Sequence, residues 1–202
     1  TLLDTIKRHR AENSLPDLYF TNFVYEKVYE GSRFVRRFQR NFPKDKLFGW
    51  EEVKKFHTSS VLLMHSLIYR TDKLRASGTI LPEHTFYVDN IFSYKPLPYM
   101  KKLYYLDIDL YRYFIGREDQ SVSEGNIVKR YEQQIRIVKE VLHSRLVSKD
   151  IRQLVKGVMV ESYIEPGNQK IGCDHIYGKS ITDPCLGWEE SERLLYTIAE
   201  MC

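Results

Sequence analysis

The run Lys101 to Ile115, KKLYYLDIDLYRYFI, constrains this chain more than any other stretch. Tyr104, Leu106, Ile108 and Leu110 fall on one side of an extended chain. Asp107, Asp109, Tyr111 and Tyr113 fall on the other, which is the two-residue period of a β-strand. It is the longest strand candidate in the sequence, and Gly116 ends it.

Shorter elements flank it, and together they predict an α/β fold. Thr1 to Glu12 reads as a helix, with Leu2, Leu3 and Ile6 followed by the basic end Lys7 to Arg10. Asp17 to Val28 reads as a strand, rich in aromatic and β-branched residues, and Gly31-Ser32 as a turn. Phe34 to Arg40 alternates basic and aromatic side chains. That pattern suits either stacked nucleic-acid bases or a half-buried strand or hairpin with solvated arginine heads. The second reading is preferred, and no nucleic-acid partner is expected. Trp50 to Phe56 predicts a short helix after Gly49, Ser60 to Tyr69 a buried strand, and Thr71 to Ala76 a turn of helix stopped by Gly78. Beyond the long strand, Ser121 and Glu124 form a capping box for a helix carrying Ile127, Val128, Tyr131, Ile135, Val138 and Leu142. Gly157 to Tyr163 then reads as a buried strand, and EPGNQKIGCDHIYG as a polar loop. Lys179 to Asp183 reads as a second short strand, and Trp188 onward as a helix presenting Leu194, Leu195 and Ile198.

Composition sets bounds on function. A net charge of +4 is mild and demands no anionic partner. No apolar run approaches the ~20 residues of a membrane span. The chain opens on Thr, so a natural start upstream is expected. Three cysteines at uneven spacing argue for a reducing compartment without a disulfide framework, hence a cytoplasmic location. All ten phenylalanines lie at or before Phe114 and all three cysteines at or after Cys173, which favours two sources for the chain.

Leu81 to Ser121 holds seven of the fifteen tyrosines and places Asp89 within Phe86-Tyr87-Val88-Asp89-Asn90. This stretch resembles the acceptor-side half of a bacterial family 2 glycosyltransferase of the GT-A type. The resemblance implies a partial GT-A domain over residues 1 to 140. Such enzymes transfer a sugar, with inversion, from a nucleotide-sugar donor onto a glycan or lipid-linked acceptor, with manganese or magnesium, at the inner face of a membrane. Asp89 matches the family's general base; the alternative is a helix N-cap before Ile91 and Phe92. Tyr87, His84, Arg117 and Asp119 match substrate-contacting positions. Arg117 is equally suited to a surface ion-pair cluster, and His84 to a structural or acceptor contact. Asp107 and Asp109 form a tempting Asp-x-Asp metal signature. On a strand, however, such carboxylates sit ~6.5–7 Å apart, too wide for one ion without a turn. They are read as sheet-face residues, the family's own motif falling upstream of Thr1.

The tail carries a second resemblance. VKGVMVESYIEPGNQKI and YGKSITDPCLGWEESERLL resemble the last two strand units of the barrel of 3-deoxy-arabino-heptulosonate 7-phosphate (DAHP) synthase. That implies a strand–loop–strand–helix remnant of a TIM barrel over residues 141 to 202, the junction falling between 125 and 150. Glu161 and Asp183 match two of that family's four ligands for a divalent metal, each at a strand's C-terminal end. The other two ligands, a Cys and a His, are absent, so tight metal binding is not expected. Strands cut from a barrel leave open edges, which would pack on the first part or drive oligomerisation. The chain is therefore read as a chimera or fragment. Its first function is a glycosyltransferase piece, inactive alone; DAHP synthase is the alternative, and a non-catalytic glycan-binding module the third reading.

Overall fold

The computed structural model describes residues 1–27, 29–57, 61–115, 131–149, 152, 154, 159–172, 174–182 and 185–201. At its centre lies β1 (Leu18–Lys27), whose first six residues are buried. Gly31, at a positive φ that glycine adopts without strain, turns the chain into β2 (Ser32–Arg36), antiparallel to the second half of β1. The first half of the same edge takes β4 (Leu67–Tyr69), also antiparallel. On the other edge β1 pairs in parallel with β5 (Leu103–Ile115), beyond which lies the two-residue β3 (Leu47–Phe48). The order is β2-β1-β5-β3, a mixed open sheet.

Parallel strands need a crossover, here the chain between Lys27 and Leu103, and Asp17 ties its far end to the start of β1. Its carboxylate accepts from the backbone of Lys101 and Lys102 at 2.9 and 3.0 Å, and Arg70, at the start of α2 (Thr71–Ala76), lies 3.5 Å away. One buried acid thus fixes the starting points of β1 and β5. α1 (Leu2–Ala11), capped by Thr1, docks through His9, whose Nδ1 is 2.8 Å from the Tyr19 hydroxyl. Burial holds His9 below the ordinary histidine range and pushes the Tyr19 phenol up to about 12.

The core is aromatic. Phe20, Phe23 and Phe38 are fully buried, and Phe20 stacks on Phe42 at 4.2 Å. Phe48, Trp50 and Tyr105 complete the cluster. α3 (Val88–Tyr94) and α4 (Tyr131–Val147) cover it, joined by Lys95 and Glu140 at 2.8 Å. α4 runs continuously across residue 140 and buries Ile137 and Leu142. From the tail, Leu154 and Ile198 of α5 (Trp188–Met201) reach the same core.

Several expected elements differ. Of the expected strand Ser60 to Tyr69, residue 60 lies outside the described residues, Leu67–Tyr69 is strand, and a 3-10 turn at Met64–Ser66 precedes it. The apolar side chains of that run divide, Leu62 and Leu67 being buried and Val61 and Met64 exposed. Trp50 to Phe56 shrinks to one 3-10 turn, Trp50–Glu52, because the Trp50 indole is tied to the Met100 carbonyl at 2.6 Å. In Gly157 to Tyr163, residues 157 and 158 lie outside the described residues, and Met159 is 87% exposed. Only Ser162 bridges, to Leu186. The strand forms instead in the supposed polar loop, as β6 (Glu165–Asn168) in parallel with β7 (Lys179–Ser180). Proline and glycine are tolerated there because β6 belongs to a two-stranded sheet with little ladder to interrupt. A side chain replaces the usual crossover helix: Gln169 donates to the Ile176 and Lys179 carbonyls and accepts from Ile176 N. Ser121, Glu124, Ile127 and Val128 lie outside the described residues.

Candidate functional site

Two polar constellations stand against the aromatic core. The first sits where the β1–β5 ladder breaks. Phe20 pairs with Tyr105, Asn22 with Asp109 and Phe23 with Tyr111, so β5 bulges by extra residues over this short span. The bulge corrects the expectation drawn from ideal strand spacing. Asp107 and Asp109 do not stand apart on one face but converge on a single nitrogen, Asn22 Nδ2, at 2.8 and 3.0 Å. Tyr105 donates to Asn22 Oδ1 at 2.6 Å, which fixes the amide's orientation. Arg37 contacts both carboxylates, at 3.4 and 3.0 Å, and Lys44 contacts Asp107 at 3.2 Å. The Asn22 hydrogen bond, then Lys44 and Tyr105, hold the Asp107 carboxyl below its usual range against the opposing effect of burial. Burial, then the Asp107 charge, raises the Tyr105 phenol. Asn22, fully buried in an apolar strand, was the missed residue. Its only signal is one amide among Leu18, Tyr19, Phe20 and Phe23.

The second constellation surrounds Asp89. This residue is not the N-cap of α3: Tyr87 holds that position, at φ 65, and Asp89 lies in the first turn, where its charge suits the helix dipole. A tyrosine in the left-handed region costs roughly 1–2 kcal/mol. His65, which sequence reasoning absorbed into a buried strand, lies on the turn Met64–Ser66 that packs against α3. Its ring stacks on Tyr111 at 4.7 Å and 6°, tilts against Tyr113 at 4.4 Å, and meets the edge of Phe23 at 5.6 Å. His65 Nδ1 is buried with no hydrogen-bond partner, an arrangement worth ~1–3 kcal/mol of lost stability. Burial lowers the His65 pKa and the nearby Asp89 charge partly offsets this. The Tyr113 phenol is raised first by burial, then by Asp89.

Of the remaining expected site residues, His84 and Glu161 fall among the described residues. His84 is exposed at φ 49, on the loop before Tyr87. Arg117, Asp119 and Asp183 lie outside the described residues, as does Cys173. Glu161 is exposed, its backbone carbonyl accepting from Leu186 N at 2.9 Å. His175 is exposed too. Among the described residues no group of three or more His, Cys, Asp or Glu is arranged to hold a metal ion. Of the two carboxylates that the tail's resemblance implies as ligands of a divalent cation, Glu161 alone falls among the described residues. A cleft of about 410 Å³ opens elsewhere, beside Phe48, Trp50, Glu51 and Lys102, and contains none of the expected site residues. Among the described residues no helix is long and apolar enough to cross a membrane.

No family model matches the chain. The similarity found is to aldolases of the DAHP synthase kind, over about 80 residues, with no evidence of a glycosyltransferase. That corrects the glycosyltransferase reading of residues 1 to 140. The nucleotide-sugar donor, the glycan acceptor and the base role of Asp89 rested on that resemblance and lose their support with it. The chain is 49% identical over 80 residues to the Trp-sensitive phospho-2-dehydro-3-deoxyheptonate aldolase of Enterobacter agglomerans. It is 41% identical over 80 residues to that of Shigella flexneri, and 40% over 82 residues to that of Buchnera aphidicola. The first of these matches covers 39% of this chain, which spans only 22% of the relative's length. The solved structure of the Francisella tularensis aldolase matches with 34% identity over 39% of this chain and 22% of its own, at a TM-score of 0.32.

Proposed function

We propose that the C-terminal part of the chain, about 80 residues, is the terminal segment of a DAHP synthase joined to an α/β domain of other origin. On this reading its chemistry is the condensation of phosphoenolpyruvate with erythrose 4-phosphate, carried out in the cytoplasm and only when the rest of the barrel is supplied. The observation that carries the proposal is the 49% identity over 80 residues to the Trp-sensitive enzyme. The structure lends support: Met159, Ile171, Tyr177 and Trp188 are large apolar side chains left in solvent, as expected of a segment separated from its neighbours. In the parent family the divalent cation supplies Lewis-acid chemistry, and Glu161 and Asp183 are this chain's share of its ligands. The other ligands must come from outside.

The test is reconstitution. The full chain is mixed with an E. agglomerans-type aldolase lacking its own matching segment, with manganese present, and phosphate release from phosphoenolpyruvate is followed. Each component alone should be inactive and the mixture active, with Glu161→Ala abolishing the activity. Binding of the two components without turnover, or turnover indifferent to Glu161→Ala, would remove the proposal.

A further inference from the structure

Three observations meet at His65, independently of the aldolase reading. Its Nδ1 is closed off from solvent and makes no hydrogen bond. Its ring is held between Tyr111 and Tyr113, at 4.7 and 4.4 Å, with Phe23 edge-on at 5.6 Å. The turn that carries it, Met64–Ser66, packs against β1, β5 and α3 together. We propose that His65 is a proton-operated latch between α3 and β5: neutral, it keeps the turn stacked on the strand, and protonated, it draws the Asp89 carboxylate to Nδ1 and loosens the stack.

The chemistry involves one proton taken from solvent, after which the ring carries a positive charge. Whichever nitrogen bears the hydrogen of the neutral ring, the imidazolium has an N–H at Nδ1. Where the ring now sits, that N–H has no acceptor. The groups facing it are few. α3 contributes Asp89, the one carboxylate whose charge is felt at His65 among the described residues. β5 contributes the phenols of Tyr111 and Tyr113, and β1 contributes Phe23, which does not titrate, with Tyr25 behind Tyr113 at 5.9 Å. Phenols are neutral in this pH range and accept weakly across a ring face, so the carboxylate is the partner that a charged His65 selects. Burial resists protonation and Asp89 favours it, which places the two groups in opposition across one contact. Any movement of Asp89 is passed to the first turn of α3 and to the left-handed Tyr87 before it, and frees the Tyr113 phenol from the Asp89 charge.

A titration of the isotopically labelled full chain by NMR, from about pH 8 to about pH 5, tests this. In the parent chain the signals of Tyr111, Tyr113 and the α3 amides should move with the His65 midpoint. In His65→Phe, which keeps the ring stack and removes the titrating group, they should stay still. Asp89→Asn should shift the His65 midpoint downward, and it decides the matter should His65→Phe not fold. The proposal is overturned if His65 titrates while the Tyr113 and α3 signals stay fixed, or if it does not titrate in this range. A midpoint unmoved by Asp89→Asn, or signals that still move in His65→Phe, overturns it as well.

Discussion

The sheet around β1 and the tail after Met159 draw on the same kinds of apolar residue and treat them in opposite ways. Phe20, Phe23, Leu103 and Tyr105 are sealed in, whereas Ile171, Tyr177, Trp188 and Leu195 lie in solvent. The difference is the number of layers. β1 has strands along both edges, with helices and aromatic loops packed on it, while β6 and β7 have chiefly each other. An apolar side chain is stabilising only where a second layer removes it from water, so identical residues are core in one region and open surface in the other.

The sharpest way to break this comparison is Phe20→Ala. The residue is fully buried against Phe42, so the loss should be ~3–5 kcal/mol, read from urea unfolding with an unchanged slope. A loss below ~1 kcal/mol would mean the aromatic cluster is not the core described. Asn22→Ala should come next. It leaves the Tyr105 hydroxyl and two carboxylates without their shared amide, at a cost of ~1–3 kcal/mol, and Asn22→Asp should be worse because it adds a third negative charge. Equal stability of the two variants would show that the charges there are screened by solvent.

Smaller effects should follow pH. Burial lowers the pKa of both His9 and His65, so between the ordinary histidine pKa and their lower folded values the unfolded chain binds protons that the folded chain refuses. Their contribution is complete above about pH 6.5 and is lost as pH falls, at most ~1.4 kcal/mol per unit for each proton. Unfolding curves at stepped pH should show this slope, and His65→Phe should flatten it; a slope of opposite sign would contradict the burial of both rings. The least effect belongs to the tail. Ile171→Ser and Tyr177→Ser should change stability by no more than ~0.5 kcal/mol while lowering self-association in sedimentation. A large loss there would reveal a layer over the tail that the exposure of these residues contradicts.

How much could be read from the chain varied with the length and regularity of the signal. β5 was legible because its alternation runs unbroken, and α1, α2 and α5 because capping or glycine punctuation bounds them. Leu62 to Ser66 was not, since an apolar run cannot distinguish an extended segment from a 3-10 turn. β6 was hidden by Pro166 and Gly167, which ordinarily argue against a strand. The candidate site was less legible still. His65 and Asn22 matter through neighbours far along the chain, and the convergence of Asp107 and Asp109 depends on a change of register. Local periodicity holds no record of either.

That change of register has a consequence for how the sequence can drift. Between the pairs Phe20–Tyr105 and Phe23–Tyr111, β1 advances three residues while β5 advances six, so the long strand carries slack. A codon lost or gained within Leu106 to Leu110 should be taken up by that slack, leaving the regular ladders on either side in place at the expense of the Asn22 pairing. The same change within Tyr111 to Ile115, where the strands advance in step, would turn each following side chain to the opposite face. Length variation in this fold is therefore expected to collect at the middle of its longest strand rather than only in its loops.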